Sequence, residues 1–139
     1  MQRIYLIGSL RNPKVPEIAL ALRGLNYDVV DDWYAAGPEA DDIWKTYEQV
    51  RGRGYIDALA GLHAGHVFSF DRYHLDRCDR AVLVLPAGRS GHMELGYVIG
   101  QGKPGYVLLD SAEGRWDIMY KFATSVHEDL DSLKWALKE

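Results

Sequence analysis

Residues 81–85, Ala-Val-Leu-Val-Leu, form a β-rich run without a charge, ended by Pro86. A strand that is apolar on both faces has to be covered on both. That is the condition of a parallel sheet held between two layers of helix. Residues 3–7 (Arg-Ile-Tyr-Leu-Ile), 27–31 (Tyr-Asp-Val-Val-Asp) and 105–109 (Gly-Tyr-Val-Leu-Leu) read as further strands, with a brief one near 124–126.

Helical patterns separate these strands. Val15, Ile18, Ala19, Leu22 and Leu25 share a helical face after Asn12 and Pro13, which suit a cap and a first helical position. Pro16 blurs that first turn. A second helix is expected from about Asp41, with Ile43, Tyr47 and Val50 on one face, and Ala35 to Pro38 form the loop before it. Gly52 and Gly54 interrupt it before the apolar pattern resumes at Tyr55, Ile56 and Leu59. Further helices are expected from about Ser69, from His92 to about Gly102, around 116–122, and from about Glu128.

The alternation of strand and helix predicts an α/β fold: a single-domain, doubly wound, five-stranded parallel sheet of Rossmann or flavodoxin type, with helices on both faces. The expected strand order is 2-1-3-4-5. Neither repeats nor linker-like composition divide residues 1–139, so one domain is expected. In such sheets ligands bind beyond the carboxyl ends of the strands, at the switch between the first and third. The loops there are Gly8–Asn12 and Pro86–Glu94.

Composition narrows the partners. A formal charge of -4 over 139 residues argues against a nucleic acid polymer or an anionic membrane surface. Cys78 is the one cysteine, which excludes an internal disulfide and suits a reducing cytosol. The opening segment lacks a signal peptide and no apolar run approaches the ~20 residues of a membrane span, so a cytoplasmic protein is expected. His63, His66, His74 and His92 show no metal-ligand spacing, and neither a metal nor an organic cofactor is expected.

Three stretches converge on the mouth of the sheet. Gly8-Ser9-Leu10-Arg11-Asn12 would let a ligand approach the backbone at a helix N-terminus beside an arginine, which suits a phosphate or carboxylate, although a plain capped turn would use the same residues. In the second, the glycine-bracketed loop Gly88-Arg89-Ser90-Gly91 leads into a helix with Glu94 expected in its first turn. There the macrodipole would favour the ionised carboxylate by roughly 0.3–1 kcal/mol. An ionised carboxylate in a cleft is what attack on a sugar anomeric carbon requires, though a charge that merely complements the dipole is the commoner case. The third is Asp71, a second carboxylate able to manage a proton, or else a solvated helix charge.

Trp33 and Trp44 flank the cleft side and suit core or interface as well as ligand contact. Gly96 and Gly100 suggest close packing of helix on sheet. Asp31-Asp32 resemble the acidic pair of phospho-acceptor receivers, but they follow the second strand rather than the first.

Read together, these segments resemble the nucleoside 2-deoxyribosyltransferase family and the related (2'-deoxy)nucleoside 5'-monophosphate N-glycosidases. The likeness runs from Ile4 to about Ala123. It is most specific at Cys78-Asp79, the strand Ala81–Pro86, Met93-Glu94-Leu95-Gly96-Tyr97 and Gly102-Lys103-Pro104. The resemblance implies that Glu94 attacks C1′ to form a glycosyl-enzyme intermediate, and that Asp71 helps protonate the departing base. It implies ligand contacts at Tyr5 and Gly8, and a base-facing region around Trp33, Trp44 and Glu48. Asp117-Ile118-Met119 match a segment that reaches a neighbouring subunit's site, so Asp117 and Met119 would bind substrate across a homodimer or larger assembly.

Two subclasses stay open. Arg89-Ser90-Gly91 lacks the acidic residue that transferases carry there, and Gly8-Ser9-Leu10-Arg11 is closer to the monophosphate hydrolases. Asp117 points the other way, since a carboxylate repels a 5′-phosphate and could instead accept a bond from a free 5′-hydroxyl. Leu10 would crowd a 2′-hydroxyl, which favours deoxy substrates. The expected partners are thus a nucleoside or nucleotide and a free acceptor base. A nucleotide-binding module without catalysis is the alternative of another class.

Overall fold

The computed structural model describes residues 1–111, 114 and 116–138. Five strands, β1 (Arg3–Ile7), β2 (Asp28–Val30), β3 (Arg80–Val84), β4 (Gly105–Leu108) and β5 (Ser125–His127), pair in parallel in the order β2-β1-β3-β4-β5. This is the expected sheet. Tyr5 stands beside Val30 on one side and Ala81 on the other, so β1 and β3 meet at the switch.

The helices among the described residues are α1 (Val15–Arg23), α2 (Ala40–Val50), α3 (Tyr55–Leu59), α4 (Leu62–Arg77), α5 (Arg89–Gly100) and α6 (Leu130–Leu137). Single 3-10 turns occupy Asp32–Ala36 and Ile118–Phe122. Alternate residues of each strand enter opposite layers, as the period of two demands. Ile4, Leu6, Val82, Val84 and Leu108 join Val15, Ile18, Ala19 and Leu22 of α1 and Leu133 and Leu137 of α6. Tyr5, Ile7, Ala81, Leu83 and Val107 join Leu75 of α4 and Leu95 and Val98 of α5.

The helix boundaries differ from expectation in instructive ways. α1 begins at Val15 with Pro16 in its first turn, because the Asn12 side chain folds back to accept the Lys14 N–H at 3.0 Å. Asp32–Ala36, expected to end in open loop, turns as a 3-10 helix whose Trp33 donates to the Leu6 carbonyl at 2.7 Å. α4 starts seven residues before Ser69, after the extended Gly61, and α5 starts three residues before His92, after the extended Gly88.

The apolar stripe of α2 faces outward: Ile43, Tyr47 and Val50 are exposed, while Glu48 is the one buried residue of that helix. Glu48 is held by Arg51 at 3.1 Å and Arg53 at 3.4 Å. Helix α2 therefore sits on an ion-paired acid rather than on a hydrophobic seam. No helix among the described residues is long and apolar enough to cross a membrane.

Candidate active site

Tyr5, Asp71 and Glu94 come from three elements and meet on the α4/α5 face of the sheet. β1 turns Tyr5 toward that face, where its ring is 2% exposed. Its hydroxyl donates to Glu94 Oε2 at 3.3 Å, and Asp71 lies near enough for its charge to act on both. Burial first, and then the two carboxylates, push the phenol far above its ordinary value, so Tyr5 is a neutral donor throughout the working pH range.

Glu94 corrects one expectation. Because α5 starts at Arg89, Glu94 is in its second turn, beyond the free N–H groups that give a helix its positive end. Burial, reinforced by the charge of Asp71, raises its carboxyl from 4.5 to about 7, against the favourable Tyr5 bond. Asp71, in the second half of α4, is also raised by burial, while the His74 charge and then the polar Tyr5 hydroxyl pull it back. Two neighbouring, partly buried carboxylates cannot both ionise freely, and the pair carries a proton into the neutral range.

The Gly88–Gly91 segment is no loop. Gly88 caps α5, and Arg89 and Ser90 are exposed in its first turn. Gly91 is buried, and a Cβ there would meet Ile7 at 3.1 Å and Leu83 at 3.2 Å, so it seats the helix on the sheet rather than admitting a ligand. Gly8 is likewise crowded on its Cβ side, by Val15 at 3.2 Å and Trp33 at 3.7 Å. Ser9 Oγ accepts the Arg11 N–H at 3.1 Å, and the Arg11 side chain pairs with Asp42 at 3.0 Å in the open. Leu10 is partly buried in the same turn.

Several expected site residues lie outside the carboxylate cluster. Trp33 packs against both core layers as well as bonding to β1. Trp44 stands edge-on to Tyr55 with its Nε1 buried and unpartnered among the described residues. Asp31 pairs with Arg23 at 2.7 Å, which occupies the receiver-like acid. Asp117 accepts the Met119 N–H at 2.9 Å as the cap of the Ile118–Phe122 turn, and Met119 is exposed.

That turn and α5 enclose a groove of about 350 Å³, lined by His92, Gly96, Gly100, Asp117 and Met119 among others. Glu94 does not line it. Gly96 and Gly100 have open space where a Cβ would stand, so the expected close packing at them is absent. The tight glycine is Gly105 in β4, where a Cβ would meet Ile99 and Leu95 at 2.8 and 2.9 Å.

Two histidines without metal-ligand spacing belong to these surroundings. His92 bridges the Gly88 carbonyl at 2.8 Å and the Tyr120 hydroxyl at 2.9 Å, tying the start of α5 to the 3-10 turn. His74 lies one helical turn from Asp71, a spacing visible in the sequence once a helix is drawn there. Among the described residues no three of His, Cys, Asp and Glu are grouped as a metal ion would need.

Solved structures share this architecture. The CMP N-glycosidase BcmB of Clostridium botulinum superposes with a TM-score of 0.60 and 12% identity, over 99% of this chain and 100% of the other. A 2-deoxyribosyltransferase from the psychrotolerant bacterium Bacillus psychrosaccharolyticus superposes at 0.64 with 19% identity, over 95% of this chain and 90% of the other. The chain has the fold of these two enzymes. No protein-family model matches the sequence, and a search of curated proteins gives no match. The superposition covers nearly the whole chain, and with it β1, α4 and α5, which carry the carboxylate cluster.

Proposed function

We propose that the chain cleaves the N-glycosidic bond of a (2'-deoxy)nucleoside or nucleotide and transfers the sugar from Glu94 to an acceptor base. The observation that carries this is the pair Glu94 and Asp71, with the Tyr5 hydroxyl donating to Glu94, partly buried together and holding a proton into the neutral range. One proton on two carboxyls supplies one ionised nucleophile and one acid, the inventory that a double displacement at an anomeric carbon needs.

In the first step a Glu94 oxygen bonds to C1′, the C1′–N bond breaks, and Asp71 gives its proton to the departing nitrogen. In the second, an acceptor nitrogen bonds to C1′, the Glu94 ester breaks, and Asp71 takes the acceptor's proton. Tyr5, locked as a neutral donor, holds Glu94 in line and lets the proton settle on Asp71 while Glu94 attacks. The two enzymes of the same fold act, by name, on a nucleotide and in deoxyribosyl transfer, which supports the substrate class.

A second reading has water as the acceptor and a 5′-monophosphate as the substrate. It is favoured by Arg89 and Ser90, exposed in the first turn of α5, where free N–H groups attract an anion. We also propose that a second copy of the chain covers the exposed apolar residues of α3 and α4 and brings Asp117 and Met119 toward its partner's site. Tyr55, Ile56, Leu62, Phe68 and Phe70 are all exposed in the single chain, more apolar surface than a lone domain usually leaves open.

The test is a panel of ribo- and deoxynucleosides and their 5′-monophosphates, each with and without a free base, followed by chromatography. Exchange into the added base supports transfer. Base release from monophosphates alone moves the activity to hydrolysis. Binding without turnover anywhere on the panel would leave a nucleotide-binding module.

A further inference from the structure

His74 occupies a position that the proposed chemistry leaves unused. It follows Asp71 by three residues on α4, so the two side chains share a helix face about 5–6 Å apart at Cβ. Its ring is clamped edge-on between Phe70, 4.7 Å away, and Tyr73, 5.1 Å away. Its Nδ1 is buried and has no hydrogen-bond partner among the described residues. A buried polar nitrogen without a partner is costly to keep, and such groups concentrate where a fold serves something besides its own stability.

The two arginines of α4 are engaged elsewhere. Arg72 lies 3.7 Å from Asp76, and Arg77 stacks 3.5 Å over the Tyr73 ring while donating to the Tyr73 carbonyl. Asp71 is therefore left facing Tyr5 from β1 and Glu94 from α5, with His74 as the cation acting on it. The choice of residue type matters here. A fixed arginine or lysine would hold Asp71 ionised at every pH and prevent it from carrying a proton. An imidazole can give up its charge, so it stabilises the Asp71 anion without making it permanent.

We propose that His74 is a positioning residue of this site, acting through the Asp71 carboxylate beside it. This rests on the N-glycosyl reading above for its role in turnover, but the physical link between the two side chains can be measured without substrate. The charged imidazole delays arrival of a second proton on the Asp71–Glu94 pair as the pH falls. When that second proton does arrive, no ionised carboxylate remains to attack, so it sets the acid limb of activity. Removing the imidazolium lets the proton bind at higher pH, and the limb moves up.

The experiment compares the unsubstituted protein with His74→Gln and His74→Asn, two uncharged replacements, in case one fails to fold. The Asp71 carboxyl carbon is followed by NMR through a pH titration without substrate, and the kcat–pH profile and KM are recorded with the best substrate of the panel. The Asp71 titration should move up by at least about half a pH unit, and the acid limb should move with it. KM should stay within about twofold, because His74 acts through Asp71 and not on the ligand. An unchanged Asp71 titration in a folded variant overturns the proposal. A shifted titration in a protein that releases no base from any substrate leaves the side-chain link standing and removes the N-glycosyl reading instead.

Discussion

The two faces of one sheet are finished differently in this molecule. On the α1/α6 face, Val15, Ala19, Leu22 and Leu133 are fully buried, and the helices cover the strands completely. On the other face, α5 and the end of α4 supply Leu75, Leu95 and Val98, but the excursion from α2 to α4 turns most of its large apolar residues outward. What it buries instead is Glu48, Ala58 and Leu75, with its Asp71 partly covered, as is Glu94 on α5. The closed face holds the fold together. The open face keeps two carboxyls poorly solvated and still reachable, which a core cannot do.

The sharpest way to break that comparison is Glu94→Gln. Base release should fall by at least about a thousandfold, since an amide neither attacks C1′ nor leaves from it. Stability should go the other way. The Glu94 carboxyl is raised from 4.5 to about 7 in the folded chain, so between those values the folded state holds a proton that the unfolded state has lost. Folding stability contributed by this group therefore declines as the pH rises through that window and is flat above it. Glutamine has no such slope. The variant should match the parent near pH 4 and exceed it by up to roughly 3 kcal/mol above pH 7. Urea unfolding at pH 5 and pH 8 reads the difference. A variant less stable at both would mean that Glu94 belongs to the structural side of the molecule.

A paired substitution tests the two faces directly. Leu22→Ala on α1 should cost about 2–5 kcal/mol of unfolding free energy, the range for a cavity in a tight core. Ile56→Ser on α3, three-quarters exposed at 75%, should change it by no more than about 0.5 kcal/mol in the dissociated chain. Light scattering of Ile56→Ser should show a weaker assembly of copies. A large loss of stability with no change in mass would place α3 in the core after all.

These contrasts also explain how much is legible in the sequence. β1, β3 and β4 can be read because a strand buried on both faces has few alternatives, and their order follows from the alternation with helices. Tyr5, Asp71 and Glu94 are legible through resemblance, and the structure brings them together. The start of α4 is not, because Leu62, Val67 and Phe68 face outward and leave no core-facing period to read. The protonation of Glu94 is not legible either: it depends on burial and on the charge of Asp71, which lies 23 positions away in sequence and on another helix. His74 escapes a search for metal-ligand spacing because what matters is its acidic neighbour one turn back.

The smallest effects sit in the glycines of α5 and the strand beneath it. Their spacing in the sequence marks Gly96 and Gly100 as the tight ones, yet space is open at both, and Gly105 on β4 is where helix and sheet nearly touch. A methyl on Gly105 would lie 2.8 Å from Ile99 and 2.9 Å from Leu95, both side chains that hold α5 down. Gly105→Ala should cost about 1–3 kcal/mol as those side chains are forced aside. If α5 shifts as a unit, Glu94 also moves against Tyr5, and turnover falls with stability. Gly96→Ala should do the reverse, stabilising by roughly 0.5–1 kcal/mol, because an exposed helix interior gains from alanine and nothing stands in its way. Its activity readout is the informative one. The Gly96 side of α5 lines the groove beneath the Ile118–Phe122 turn, while Glu94 faces Tyr5 and Asp71, so full activity at Gly96→Ala assigns the chemistry to the Glu94 side alone. A loss of activity in a more stable protein would show instead that the groove must stay open for turnover, and that the reacting face of this helix is wider than the carboxylate pair.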